Sequence, residues 1–341
     1  MRPRQGLNHV MNVLCALNPS SAGGFGMKCW PRIAEFLSRQ GIEYILLADP
    51  DVPIGRQVHR FFEHNHPHSL DAVVGIGGDG THSMVIQQLL AWLDAAPGRS
   101  MPPYAFIPLG TANDIAKSLG FHVGAVFSNR DLERAVSTIA HGADYRMDLG
   151  IVDGTPFADG FTIGLDPNIL RERNIQRRRL RPVRFLFRGV IGGSLLYTIC
   201  TGLRLWRQRQ LTVDVMVDGR RWYAGPIINL IVNNARVYAG EFEFYHGAYA
   251  NDGLLDMVVF TGRRDYLRRY VFALRNYPYG LRRLAKHLNR NLQHTQGRKF
   301  EIHLSQTESA QIDGEEFPES DSFTVTVRPG VIPIKIPAEP L

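Results

Sequence analysis

Apolar and polar positions change rhythm about two-fifths of the way along the chain. Up to residue 145, short apolar runs alternate with stretches whose apolar residues return every three or four positions. "VMNVLCAL" (10–17) reads as a buried strand, "WPRIAEFLSRQG" (30–41) as a helix with Pro31 near its first turn and Gly41 as its stop, and "EYILLAD" (43–49) as a second strand. "SLDAVVGI" (69–76) continues as a strand, "THSMVIQQLLAWL" (81–93) as an amphipathic helix, "YAFIPL" (104–109) as a strand and "NDIAKSLG" (113–120) as a helix closed by Gly120. Such a β/α succession predicts a doubly wound, mostly parallel sheet.

From residue 146 the period shortens to two. "LTVDVMVDGRRWYAG", "PIINLIVNN", "GLLDMVVF", "KFEIHLSQ", "AQIDGEEF" and "FTVTVRPGVIPIKIP" alternate apolar and polar residues between turn signals. They predict an antiparallel β-sandwich or open barrel, interrupted by Arg-rich helices at 171–208 and 262–290. The expected architecture is α/β plus all-β: a doubly wound domain over 1–145, a β-sandwich domain with inserted helices over 146–333, and a tail over 334–341 that returns to the first domain. A chain of 341 residues with 44% hydrophobic residues suits two such cores.

Charge and cysteine usage narrow the setting. Lys plus Arg exceed Asp plus Glu by 39 to 32, a formal +7 that favours anionic partners. Cys15, Cys29 and Cys200 are widely spaced and form no C-x-x-C pair or Cys/His cluster, which excludes a disulfide framework or a zinc site and points to a reduced, cytoplasmic protein. The basic start leads into a short apolar run and then Asn18-Pro19, the pattern of a first strand and not of a signal peptide. No apolar run approaches the ~18 residues of a membrane span.

Three polar, glycine-rich loops each follow an apolar strand: "NPSSAGGFG" (18–26), "GGDGT" (77–81) and "PLGTAND" (108–114). In an open parallel sheet they share the carboxyl edge and converge on one crevice. Glycine lets a backbone approach a phosphate closely, and a helix starting near Thr81 adds its N-terminal amides and dipole. Any one such loop is ordinarily a tight βα turn; three at one edge point to a ligand. Gly75, Gly77 and Gly80 satisfy G-x-G-x-x-G, but no acid lies near position 100 to hold a ribose, and Asp79 would repel a bare pyrophosphate. A carboxylate beside phosphates suits Mg²⁺ between them. No G-x-x-x-x-G-K-[ST] is present, so the loop is not a P-loop.

"NPSS", "GGDGT" and "PLGTAND", followed by "NDGLLD" (251–256) and "IDGE" (312–315), together resemble the diacylglycerol kinase catalytic domain family over nearly the whole chain. The resemblance implies a two-domain lipid kinase holding Mg·ATP in an interdomain cleft. By motif match, Asn18, Pro19, Ser20, Ser21 and Ala22 with Gly77, Gly78, Asp79, Gly80 and Thr81 hold the nucleotide phosphates. Thr111 and Asn113 complete the pocket, and Asp114 orders the cleft. Asp252 matches a structural Mg²⁺ ligand, assisted by the carbonyls of Tyr249 and Leu254. Asp313 and Glu315 match the catalytic pair: Glu315 is favoured as base, with Asp313 and Asp79 as rivals. Two carboxylates two residues apart on an extended segment would point the same way; alternatively "IDGEEF" is a solvent-facing Asp-Gly hairpin. Ala22 stands where the family has glycine, Asp159 where it has asparagine, and Pro167 follows Asp166.

Eight arginines lie between 171 and 189, and "GRRDYLRRYVFALRNYPYGLRR" repeats the mixture of Arg, Tyr and Leu. Such runs are solvated helix faces or docking surfaces for anionic lipid. Without a nucleic-acid-binding signature, no nucleic-acid partner is expected. The reading is an ATP- and Mg²⁺-dependent kinase of a diacylglycerol-like or sphingoid-like lipid, peripheral to the inner face of the membrane, with a homodimer an open option. Its rivals are an NAD kinase or other small-molecule kinase built on GGDGT, and a non-catalytic nucleotide- or lipid-binding regulator.

Overall fold

The computed structural model describes residues 10–65, 70–95, 98, 100–123, 128–179, 190–240, 242–272 and 293–338. Two compact units divide the chain. One comprises Met1–Gly110, Leu119–Tyr145 and Ile332–Leu341; the other comprises Thr111–Ser118 and Arg146–Val331.

The first unit runs β1 (Met11–Leu17), α1 (Ser21–Arg39), β2 (Ile42–Leu47), α2 (Ile54–His64), β3 (Ala72–Gly77), α3 (Asp79–Asp94) and β4 (Tyr104–Pro108). After α4 (Asp114–Ser118), which lies in the second unit, α5 (Asn129–His141) returns to the first. Its strands lie parallel in the order β4-β3-β1-β2, with Val13 opposite both Tyr44 and Ala72, and Val73 opposite Tyr104. Val13, Leu17, Val74, Ile76 and Ile107 from the sheet pack with Ile33, Leu37, Val136 and Ile139 from α1 and α5, all fully buried. Each such side chain contributes about 1.5–3 kcal/mol by leaving water, which is what drives the apolar strands between the helices.

α1 starts at Ser21 and not at Trp30, so most of the glycine-rich segment is helix and Pro31 lies inside it. Glycine costs a helix about 1 kcal/mol against alanine, and packing overrides that here: a Cβ on Gly26 would stand 2.6 Å from the Asn18 carbonyl oxygen. Helices α2 and α5 add to the elements the periodicity names.

The second unit opens with β5 (Ala143–Val152), β6 (Thr155–Phe157), β7 (Gly160–Gly164), α6 (Leu165–Arg179) and α7 (Val190–Arg207). It continues through β8 (Leu211–Val217), β9 (Arg220–Ile227), β10 (Asn229–Asn233), β11 (Leu255–Phe260), α8 (Arg263–Phe272), β12 (Gln293–Gly297), β13 (Lys299–Ile312) and β14 (Glu315–Ile336). Antiparallel pairing follows the order β12-β11-β10-β7-β13-β14. β13 changes register between His303 and Ala310, so its first half pairs with β8 and its second with β7. Alternate residues such as Val213, Val215, Val232, Met257, Phe300 and Ile302 share one core, as the period of two predicts. At the chain's end Ile334 pairs with Tyr104, parallel, within the first unit. The predicted helices at 171–208 and 262–290 correspond to most of α6, to α7 and to α8; residues 180–189 and 273–292 lie outside the described residues. No helix among the described residues is long and apolar enough to cross a membrane.

Candidate functional site

In the first unit, three helices begin at the carboxyl edge of the sheet and none is capped by a side chain; α2, which starts after Pro53, is one of them. α1 starts after Ser20 and α3 after Gly78, whereas α5 carries a full capping box between Ser128 and Asp131. The first amides of a helix have no intrahelical partner and bear the positive end of its dipole. Two uncapped starts side by side therefore favour an anion.

Asn18 holds them together. Its side-chain amide donates to the Thr81 hydroxyl at 3.0 Å, and its Oδ1 accepts from the Ser20 amide at 3.1 Å and the Ser20 hydroxyl at 2.8 Å. The Asn18 backbone amide donates to the Ile76 carbonyl. Ser21, at the start of α1, is buried with a hydroxyl that has no partner. A polar atom left so inside a native fold calls for an unseen partner. Asn18, Pro19 and Ser20 border a cavity of about 460 Å³, whose other walls are Asp49–Ile54, Gln57 and Met84. That volume falls within the usual range of small-molecule sites, about 300–1,000 Å³. Gln57 braces its far wall, donating to the carbonyls of Asp49 and Val52 and accepting from the Asp49 amide. The Asp49–Gln57 wall escaped the sequence reading. Its signal was available in "ADPDVPIG", a fourth polar loop following a strand of the same sheet.

The glycines of GGDGT and of the strand that leads into it have distinct reasons. A Cβ on Gly75 would collide with the Tyr104 hydroxyl, which bonds His82 Nδ1 at 2.7 Å. One on Gly77 would stand 2.4 Å from Thr81 Oγ1, and one on Gly78 would stand 3.0 Å from Gly110 Cα. Gly75 and Gly77 are therefore glycine for side-chain packing, and Gly78 for the close approach of the third loop. Asp79 is the first-turn acid of α3, where the dipole favours a carboxylate. Burial drives the His82 pKa from 6.5 to about 3, against a hydrogen bond with the Gly77 backbone that pulls it upward.

The remaining predicted residues lie in the second unit. Thr111 is exposed, while Asn113 is buried at a φ of 53°. Asp114 accepts from the Gly240 amide, and Lys117, one turn along α4, donates to the Gly240 carbonyl at 2.6 Å. Asp252 accepts from the Leu254 amide at 2.9 Å, and Tyr249 is exposed. Desolvation, then the charges of Asp256 and Asp148, raise the Asp252 pKa. Asp148, unforeseen in the sequence beyond an acid in the apolar run "RMDLGIV", accepts from the amides of Gly253 and Gly330 and so fixes this loop.

Asp313 and Glu315 are not on one extended segment. Asp313 and Gly314 both have positive φ, 47° and 78°, forming the two-residue turn between β13 and β14. Asp313 points inward: its carboxylate accepts from the amides of Ala158 at 2.9 Å, Asp159 at 2.9 Å and Gly160 at 3.1 Å. Glu315 is exposed. The carboxylates thus have different environments, because the turn rotates one into the sheet and leaves the other at its surface.

In the sequence Asp166 stands out only for the Pro167 that follows it. It is buried, and it accepts from the hydroxyls of Tyr266, Tyr238 and Tyr270 and from the Asn229 amide. Burial raises its pKa against all four of these bonds.

An α/β unit with a mostly parallel sheet, followed by a unit of antiparallel strands, is a fold of the doubly wound α/β plus all-β class. Residues 12–152 match the family described as Diacylglycerol kinase catalytic domain, so the loop motifs and the family match agree over that stretch. The chain is 23% identical over 248 residues to a protein of Bacillus subtilis (strain 168) named Diacylglycerol kinase, covering 72% of this chain and 71% of the relative. It is 24% identical over 302 residues to one of Citrobacter koseri named Probable lipid kinase YegS-like, covering 86% and 90%. A solved diacylglycerol kinase structure from Bacillus anthracis str. Sterne superposes with a TM-score of 0.67 at 15% identity, covering 97% of this chain and 98% of that one; it shares the fold.

Proposed function

We propose that the protein is a lipid kinase that transfers the γ-phosphate of ATP to a hydroxyl of a diacylglycerol-like or sphingoid-like acceptor. The observation that carries this reading is the pair of uncapped starts of α1 and α3, tied by Asn18 and Thr81, with the partnerless Ser21 hydroxyl between strand and helix. Polyphosphate fits there because amides and dipoles meet it without a buried cation. The family match and the names of the relatives support a kinase acting on lipid.

Glu315 is the carboxylate we assign as general base. It is exposed, whereas Asp313 is engaged by three backbone amides and Asp79 lies in the first turn of α3. A base must be able to reach the acceptor hydroxyl, and of the three carboxylates Glu315 is the one that stands exposed at the surface.

Mg²⁺ would supply charge compensation for the phosphates. For the structural cation, Asp252 with the carbonyls of Tyr249 and Leu254, the set the resemblance implies, would offer oxygen donors of the kind a hard ion takes. The crowding of Asp252 by Asp148 and Asp256 is the kind of negative field such an ion relieves. These residues fit the role.

Incubation with [γ-³²P]ATP, Mg²⁺ and mixed micelles of candidate lipids, with NAD in a parallel tube, tests the proposal. Label in the organic phase is expected. Label only in NADP, or ATP binding with no label anywhere, overturns it.

A further inference from the structure

We infer that the outward faces of α7 and α8 form a docking surface for a bilayer containing anionic phospholipid. The inference deepens the lipid-acceptor reading and rests on it only for its biological purpose; the surface itself is argued from the second unit alone.

α7 is apolar on two sides. Cys200 and Leu205 face inward and pack in a core with Ile228, Ile231 and Phe260. Ile199, Leu203 and Trp206, at i, i+4 and i+7, form a stripe that faces out, with 48%, 44% and 79% of their surfaces exposed. A helix of a water-soluble domain normally turns one apolar stripe inward and a polar face outward. The second stripe has no such account.

α8 extends this face with charge. Tyr266, Arg269 and Tyr270 turn inward, two of them onto Asp166 and Arg269 onto Asp265 at 2.6 Å. Arg263, Arg264, Leu267 and Arg268 are exposed. The Arg263 guanidinium lies over the Trp206 ring, 5.8 Å from its centroid, and donates to the Gln208 carbonyl at 3.0 Å. Gln210 donates to the Thr261 carbonyl at 3.1 Å. The end of α7 and the start of α8 are thereby one surface. α7 contains no Asp or Glu, and the single acid of α8 is the Asp265 paired with Arg269.

Charge complementarity and side-chain type select the occupant. Trp sits at the headgroup level of a bilayer, Ile and Leu enter the acyl boundary, and arginines meet anionic headgroups. A nucleic-acid backbone would use the arginines and leave Ile199, Leu203 and Leu267 in water. A second copy of the same face would set arginine against arginine.

The test uses the full chain with sedimenting vesicles of phosphatidylcholine, alone and mixed with phosphatidylglycerol. The protein is expected to partition onto the mixed vesicles, to leave them at high salt, and to show a blue-shifted tryptophan emission that Trp206→Ala removes. Combined Arg263→Glu, Arg264→Glu and Arg268→Glu should weaken partition about fivefold per residue lost, on the order of a hundredfold together. Leu203→Ser with Trp206→Ala should weaken it roughly tenfold by the lost apolar burial. Melting temperatures identify any variant that fails to fold, and Trp206→Ala alone, at so exposed a site, then carries the test. Absence of wild-type partition overturns the inference, as do variants that bind like wild type. So does equal retention of a duplex oligonucleotide lost in the same variants, or a wild-type dimer that Trp206→Ala splits. Phosphorylation in micelles separates the two readings: labelled lipid without vesicle binding removes the docking surface and leaves the kinase, and vesicle binding without labelled lipid does the reverse.

Discussion

Asp153, Asp218 and Asp313 each begin an Asp-Gly turn with φ near +47°, and each pairs with a neighbouring strand in the same way. The Asp153 amide donates to the Thr324 carbonyl and its Oδ1 accepts from the Thr324 amide; Asp218 does the same with Lys299, and Asp313 with Gly160. The device serves to fasten hairpin ends to the sheet. Its recurrence at two sites outside the proposed chemistry explains why Asp313 is engaged by backbone. Asp313→Ala should therefore destabilise the protein by about 2–3 kcal/mol, the scale of lost charge-assisted bonds at a buried site. Glu315→Gln should leave stability within about 0.5 kcal/mol and lower turnover by roughly 10²–10⁴. Denaturant titration beside initial rates separates the pair; a stable but inactive Asp313→Ala would reverse the two roles. At this scale the sequence shows the Asp-Gly turn but not the direction of its side chain, since that depends on a strand more than 150 residues away. Gly75 is similar: it fits a dinucleotide fingerprint in sequence, and in the structure it is glycine because Tyr104 fills the space.

Between elements, His82 of α3 meets Tyr104 of β4 beneath the GGDGT loop. Unfolded, this histidine binds a proton below its ordinary pKa of 6.5; folded, it stays neutral down to about 3. The stability it contributes is whole above pH 6.5 and is lost as pH falls from 6.5 towards 3. The slope reaches about 1.4 kcal/mol per pH unit. Between pH 7 and pH 5 the wild type should lose on the order of 2 kcal/mol more than His82→Asn, as read by urea unfolding. Equal losses would show that His82 titrates alike in both states. The strands β1, β3 and β4 and the helix α3 were legible from periodicity, because apolar runs flanked by turns determine them locally. The start of α1 was not. Its glycines argue against helix on propensity, and the close approach to Asn18 that requires glycine at 26 is not visible in the sequence.

Across the whole molecule, the change of hydrophobic period near residue 145 was the most informative signal, and the boundary of the first unit's central block falls there, at Tyr145. Two departures from a simple division are long-range. Residues 111–118 pack in the second unit through Asp114 and Lys117 on Gly240, and residues 332–338 in the first through the pairing of Ile334 with Tyr104. The return of the tail is expected in the sequence from residue 334; Gly240, the partner of 111–118, is far off in sequence, so no local pattern announces that exchange. The sequence shows three loops after strands of one sheet; that Asn18 ties the first to the second, and that the Asp49–Gln57 segment walls the cavity beside Ser20, needed coordinates. The central claim is that the starts of α1 and α3 hold the phosphates of ATP. Calorimetric titration of Mg·ATP into wild type and Ser20→Asp tests it most directly. Aspartate loses the Ser20 hydroxyl's donation to Asn18 Oδ1 but is a favoured helix cap, so the melting temperature should change little. The same charge stands where phosphate should bind, so affinity should fall by roughly tenfold or more, the equivalent of about 1.4 kcal/mol. Unchanged ATP affinity in a well-folded Ser20→Asp would contradict the account.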